Sequence, residues 1–396
     1  MNDARPWFHT RPALGAALGA ILAAILGSLA PDWVLLVVAA VLIPISVFLF
    51  QRRSAFFLLP LAMFAVLVRL VLLPAELPKD GTVAAFLSNL RGNLLGNADA
   101  LFSDEAGAAR GILLGDHEAM TAAEHAQYAQ SGLLHLFAVS GLHVTILVGM
   151  IGKLIRTEHK ALSVGTLSLV LLFFCAVTGF SASVLRAAFT LIALHVCNLR
   201  ERKADMPSVL CLAMTMTLLV APFAYRTVGF QLSFAAMIGM TLFAQSFRKK
   251  LSESLRNTLI ARTISGAIAA MIGMLPLMAY YFGSVAWISV PLSIVLIPTM
   301  PILLIFGFLS VLLYGILPHF AAVLSYPAYG AIKLVSILAK NLEVPYLLLP
   351  APHPGVIVLY YAALLFCSPL FLQNRKRPPW IGLSALAVSI LLWFLV

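Results

Sequence analysis

Charge is what this sequence has least of. Only 10% of its 396 residues are Asp, Glu, Lys or Arg, and 62% are hydrophobic. A soluble domain carries about 25% charged residues, so a water-exposed globular fold is excluded. The strict apolar–polar alternation of a transmembrane barrel is also missing. Cysteine is rare: Cys175, Cys197, Cys211 and Cys367 lie in apolar runs without Cys-x-x-Cys spacing, which signals neither a zinc site nor a disulfide framework. There is no Gly-x-x-x-x-Gly-Lys-Ser/Thr loop to cradle a nucleotide, and no low-complexity linker. No metal and no cofactor is expected.

What the sequence does have is apolar runs near 20 residues, recurring from Pro12 to Val396. That is the length needed to cross about 30 Å of hydrocarbon. The expected fold is all-α and polytopic, with about 12–13 spans and broken or re-entrant helices. The runs cover 12–30, 33–50, 54–73, 132–152, 161–180, 184–199, 207–221, 228–247, 259–281, 285–297, 301–317, 354–372 and 379–396. The first is read as a span rather than a cleaved signal, because Pro31 follows the Ser28-Leu29-Ala30 step. Pro298 and Pro301 allow either two short spans or one kinked helix.

The net charge of +11 follows from membrane topology without any need for nucleic acid. With the N-terminus in the cytoplasm, most of the 26 basic residues fall on one side. They include Arg5, Arg11, Arg52, Arg53, Lys153, Arg156, Lys160, Arg200, Lys249 and Lys376, as the positive-inside rule requires. Residues 74–131 then lie outside. That segment is acidic, and Phe86, Leu87, Leu90, Leu94 and Leu101 recur at helical spacing, as on a helix lying along the interface. A second amphipathic stretch, 320–342, carries Lys333 and Lys340.

Polar residues inside apolar runs are costly and mark function or a helix break. His135, Ser140, Gly141 and His143 share one such run. On an unbroken helix the two histidines stand two turns apart, too far for one metal, and a break at Gly141 would change that. A packed, hydrogen-bonded histidine is the plainer reading of each. A Ser140–His143 hydrolytic pair lacks a carboxylate nearby in sequence. Two segments read Gly-Phe-x-x-Ser: Gly179 to Ser183, and Gly229 to Ser233 with Gln231 between. In each, Gly is expected to end one helix and Ser to cap the next. Three helix N-termini, with their free N–H groups and partial positive charge, would suit phosphate. Simple turning and capping is the alternative. Arg186 lies a few residues inside its span, where Arg costs about 2.5–3.5 kcal/mol. It either snorkels or meets a phosphate.

These segments together resemble the ComEC-type competence proteins. The resemblance rests on Leu133-Leu134-His135-Leu136, Ala138, Ser140-Gly141-Leu142-His143-Val144, on Leu113-Leu114-Gly115-Asp116, on Thr178-Gly179-Phe180-Ser181-Ala182-Ser183-Val184 with Arg186-Ala187, and on Gly229 to Phe234. It implies a channel that passes single-stranded DNA through the bacterial cytoplasmic membrane in natural transformation. It also implies an outer DNA receptor and a cytoplasmic motor or DNA-binding proteins as partners, beside the lipid bilayer. Family members often carry an outside OB-like domain and a terminal metallo-β-lactamase-like domain. Residues 74–131 leave no room for the first and no His-x-His-x-Asp-His run marks the second, so no nuclease is expected. The expected layout is N-terminal spans over 1–73, an outer segment over 74–131, a competence core over 132–350 and a helix pair over 351–396. DNA-path candidates are His135, Ser140, Gly141, His143, Ser181, Ser183, Arg186, Gln231 and Ser233. A transporter of a small or lipid-linked anion is the alternative, and an intramembrane hydrolase the third.

Overall fold

The computed structural model describes residues 12–29, 58–72, 82–116, 141–154, 160–254, 258–285, 288–341, 347–368 and 380–395, with isolated positions over 35–45 and 120–137. The chain is an all-α, polytopic membrane protein. Among the described residues, five helices are long and apolar enough to cross a membrane: Ala182–Leu199, Val228–Glu253, Thr258–Phe282, Val290–Tyr314 and Pro318–Asn341. The expected span over 33–50 lies largely outside the described residues.

The chain forms two compact units, and neither is continuous in sequence. The first takes Met1–Leu73, Asp205–Val290 and Tyr346–Val396; the second takes Pro74–Ala204 and Pro291–Pro345.

In the first unit, α1 (Pro12–Gly27) packs on α2 (Leu58–Leu72) and on α8 (Met206–Val220). Small residues allow this: Ala20, Ala23 and Ala24 of α1 are fully buried. The Tyr225 hydroxyl donates to Ser28 Oγ just beyond α1 at 3.0 Å. Helix α9 (Val228–Gly239) then crosses α11 (Thr258–Phe282) at two facing small-x-x-x-small patterns, Ala235/Gly239 and Ala269/Gly273. A Cβ on Gly239 would stand 2.9 Å from the Gly273 Cα, and one on Gly273 would stand 3.0 Å from the Gly239 Cα. Backbone therefore meets backbone, as small residues permit in membrane helix pairs. One π turn, Met240–Ala244, follows directly and leads into the basic α10 (Gln245–Ser254).

Pro276 sits inside α11. It has no N–H to offer the carbonyl four residues back, which is that of Ile272. The Tyr360 hydroxyl of α14 (Pro354–Cys367) donates to that carbonyl at 2.9 Å, and Tyr361 donates to the next, Gly273, at 2.8 Å. Two side chains thus meet the carbonyls beside the proline. A two-residue pairing of Ser284–Val285 (β1) with Leu347–Leu348 (β2) ties the end of α11 to the start of the last helices. The Trp393 indole of α15 (Trp380–Leu395) donates to the Pro350 carbonyl at 2.7 Å.

The second unit begins with α3 (Thr82–Phe102), where the spacing predicts an amphipathic helix. A short 3₁₀ turn, Ser103–Glu105, leads into α4 (Ala106–Leu114). Leu94, Ala98, Phe102, Ile112 and Leu113 are buried while Phe86 is exposed, so the N-terminal end of α3 leaves the core. Helices α5 (Gly141–Leu154), α6 (Lys160–Val177) and α7 (Ala182–Leu199) pack on one another. Residues 289–314 form one helix, α12, with Pro298 and Pro301 inside it; the two short spans merge. Helix α13 (Pro318–Asn341) shows three faces. Ala321, Ala328, Ile332, Val335 and Ala339 are buried, and Phe320, Val323, Tyr326 and Ile337 are exposed and apolar. Between them, Tyr329 and Ser336 meet the acidic 3₁₀ turn: Tyr329 donates to both oxygens of Asp104 at 3.1 Å, and Ser336 donates to Glu105. That bond from Tyr329 is the main cause holding the Asp104 carboxyl below its ordinary pKa. The amphipathic stretch expected over 320–342 is therefore present, although its length and mean hydropathy also suffice to cross a membrane.

Candidate functional site

Three motif-bearing segments meet inside the second unit. The first is Leu113-Leu114-Gly115-Asp116. Gly115 ends α4 in the left-handed region, with φ 70°. Its N–H bonds the Gly111 carbonyl, and that of Asp116 reaches back to Arg110. Such a turn favours glycine because a Cβ would strain there. It folds Asp116 back onto α4 and buries it to 6% exposure. Arg110 holds this carboxylate through Nε at 2.9 Å and through Nη2, and also reaches Asp99 at 3.2 Å. Arg91 of α3 lies 4.0 Å from the other Asp116 oxygen. A buried carboxylate is tolerated only when paired in this way. These charges raise the Arg110 pKa against the burial that would lower it.

The second segment is the Gly179-Phe180 break. Gly179 and Phe180 have φ of 74° and 54°, and the Phe180 N–H returns to the Cys175 carbonyl at 2.7 Å. This left-handed step closes α6 and opens α7. The N-cap of α7 is Ser181, not Ser183, and its side chain makes no capping bond; Ser183 lies inside the first turn. Gly179 also admits a neighbour, since a Cβ there would meet Arg91 Nη1 at 3.0 Å. Arg91 therefore joins the first segment to the second, and its buried Nε has no hydrogen-bond partner among the described residues.

The third segment is the start of α5. The expected helix break falls at Gly141, the first residue of that helix. A Cβ on Gly141 would stand 3.2 Å from Arg186 Nη2 and 3.9 Å from Nη1. Arg186, one turn inside α7, is thus laid against the first turn of α5. It is 6% exposed, and its Nε has no hydrogen-bond partner. No carboxylate pairs with Arg186 among the described residues, and Asp99 and Asp116 of the same unit are held by Arg110. Arg186 does not snorkel to water; it is buried. His143 is also buried, but two residues along a helix turn the direction by about 200°, so Gly141 and His143 mark different sides of α5. His135 and Ser140 lie outside the described residues.

Gln231 and Ser233 belong to the first unit. The sequence pattern implies a break between Gly229 and Ser233 with Ser233 as cap. Instead α9 already begins at Val228, and the Thr227 hydroxyl caps it by accepting from the Phe230 N–H. Gly229 to Ser233 are its opening turns. Gln231 is fully engaged, donating to the Tyr225 carbonyl at 3.0 Å and accepting from the Tyr281 hydroxyl at 2.8 Å. There it ties α9 to α11 and to the turn before α9.

The ionic cluster of Arg91, Asp99, Arg110 and Asp116 was not among the sequence candidates. Its one sequence signal was the Leu-Leu-Gly-Asp step, whose Gly-Asp pair follows an apolar helix end.

A family model described as "Competence protein" matches residues 112–377. ComE operon protein 3 of Bacillus subtilis (strain 168) is 31% identical over 220 residues, covering 53% of this chain and 27% of that protein. Competence protein ComA of Neisseria gonorrhoeae is 28% identical over 296 residues, covering 72% of this chain and 41% of that protein. The chain thus spans well under half the length of either relative. No solved structure matches it.

Proposed function

From its membership of the competence-protein family, to which this chain belongs, we propose that it provides the passage for single-stranded DNA across the bacterial cytoplasmic membrane in natural transformation. The observation that carries this is the buried Arg186 laid on Gly141 without an acid to neutralise it. A cation buried among membrane helices faces a polar path or a ligand rather than lipid. A strand carries one negative charge per nucleotide, and a few fixed cations with backbone N–H groups replace water without holding it fast.

The N-terminus is cytoplasmic, which places 74–131 outside, supported by the sorting of basic residues. The competence core is residues 132–350. Within the second unit, the path candidates are His135, Ser140, Gly141, His143, Ser181, Ser183 and Arg186. An outer receptor delivers the strand, and a cytoplasmic motor or DNA-binding protein draws it in, since these residues hold no nucleotide loop. The residues present do not cleave DNA.

A strain lacking only this protein should fail to take up transforming DNA, and sealed vesicles holding the purified protein should admit single strands. Normal transformation in the deletion strain would refute the reading. Labelling of cysteines placed at Asn97 and Ser252 from the same side of sealed cells would refute the orientation.

A further inference from the structure

The contact between Arg186 and Gly141 has a narrower meaning, which rests on the DNA-passage reading. We propose that Arg186 and the opening turn of α5 form an oxyanion subsite that takes a single phosphodiester group of the strand.

Three observations point to it. Arg186 is more than nine-tenths buried, and its guanidinium has an unpartnered Nε among the described residues. A buried guanidinium without a counter-charge costs several kcal/mol in real proteins, so a fold that keeps one has an anion to complete it. Next, both terminal nitrogens are directed at the first residue of a 14-residue helix, at 3.2 and 3.9 Å from the Gly141 Cβ position. A helix N-terminus adds partial positive charge at that point. Finally, residue 141 is a glycine, which leaves this approach uncrowded. A Cβ at 3.2 Å from Nη2 would crowd this approach and make the guanidinium give by a few tenths of an ångström.

The chemistry that fits is a tetrahedral oxyanion. Two of its oxygens match the planar fork of an Arg, and Lys offers only a point charge. The acids that would compete are committed elsewhere: Asp116 and Asp99 to Arg110. A free strand and a lipid headgroup both present phosphodiesters, so the test must separate them.

The full chain would be placed in phosphatidylcholine nanodiscs and titrated with inorganic phosphate and with short oligothymidylate, read by the shift in melting temperature. An uncharged methylphosphonate oligonucleotide serves as control. Both anions should raise the melting temperature, and the methylphosphonate should not. Arg186→Gln should weaken the apparent affinity by about tenfold or more, which corresponds to about 1.4 kcal/mol. Arg186→Lys should recover part of it, and Gly141→Ala should weaken it with the arginine intact. If Arg186→Gln does not fold, Arg186→Lys and Gly141→Ala carry the test alone. Equal binding by the parent protein and these variants, or no phosphate response in the parent, overturns the subsite. Loss of the response when phosphatidylglycerol replaces phosphatidylcholine assigns the site to lipid and overturns the strand as its ligand. Failure of the subsite with transformation still dependent on the protein leaves the passage reading standing. A working subsite in a protein whose deletion does not affect transformation removes that reading instead.

Discussion

Two glycine contacts, one in each unit, look alike in sequence and do opposite work. Gly239 lets α9 touch α11, backbone against backbone, where a Cβ would stand 2.9 Å from the Gly273 Cα. Gly141 lets α5 touch the charged end of Arg186. Around the first, polar groups find partners: Tyr360 and Tyr361 take the carbonyls exposed by Pro276, and Gln231 is held at both ends. Around the second, buried nitrogens of Arg91 and Arg186 have none among the described residues. Among the described residues, the first contact thus sits among satisfied polar groups, and the second sits beside buried guanidinium nitrogens that have no partner.

The largest expected effect separates these roles directly. Gly239→Leu should destabilise the protein by about 3 kcal/mol, the upper end for overpacking a close contact, with a lower melting temperature and loss of membrane-inserted protein. Tolerance of the substitution would show that the crossing is loose and would remove half of the contrast. Arg186→Gln should leave the amount of inserted protein nearly unchanged and cut transformation roughly ten- to a hundredfold, matching about 1.5–3 kcal/mol for a hydrogen bond to a charged group. Normal transformation in this variant, or collapse of its level to that of Gly239→Leu, would make both glycines structural.

Tyr360→Phe strands the Ile272 carbonyl beside Pro276. It should cost about 0.6–1.7 kcal/mol, the range for side-chain hydrogen bonds within membranes, with transformation kept. A loss of transformation at unchanged stability would give the Pro276 segment a functional role. The smallest effect concerns the acidic turn of the second unit. The Tyr329 hydroxyl lowers the Asp104 pKa, so this contact is at full strength above the ordinary carboxylate value and is lost as pH falls through the lowered one. Tyr329→Phe should make the melting temperature less sensitive to acid. An unchanged acid profile would show that the contact adds nothing to stability.

Much of this was legible in the sequence, for physical reasons that differ by site. The all-α membrane architecture follows from apolar runs alone. The breaks at Gly141 and Gly179 were visible because glycine interrupts an otherwise continuous apolar helix, and Arg186 because a cation there is expensive. The break at Gly229 to Ser233 was misread, since Thr227 caps α9 earlier and Gly229 can sit in a helix at a cost of only about 1 kcal/mol. Pro298 and Pro301 left open two short spans or one helix, and they lie in one, as proline in a membrane helix is accommodated where neighbours and local adjustments satisfy the freed carbonyls. The pairing of Arg91 with Asp116 is not readable from spacing, because it depends on how α3 folds back beside α4. Gly273 and Ala269 belong to a small-residue pattern, but only the partner pattern in α9 shows that it is a crossing.

The π turn at Met240–Ala244 is the trace of one residue more than an α-helix requires. Removing a single residue there would let the helix run on unbroken. Because the π turn spreads its extra residue over one wider turn, Arg248, Lys249 and Lys250 would keep nearly the same face, whereas removing a residue from α10 ahead of them would swing them by about 100° around the axis. The π turn is therefore the one place along this helix where a residue can be lost without changing the compass bearing of the basic cluster beyond it.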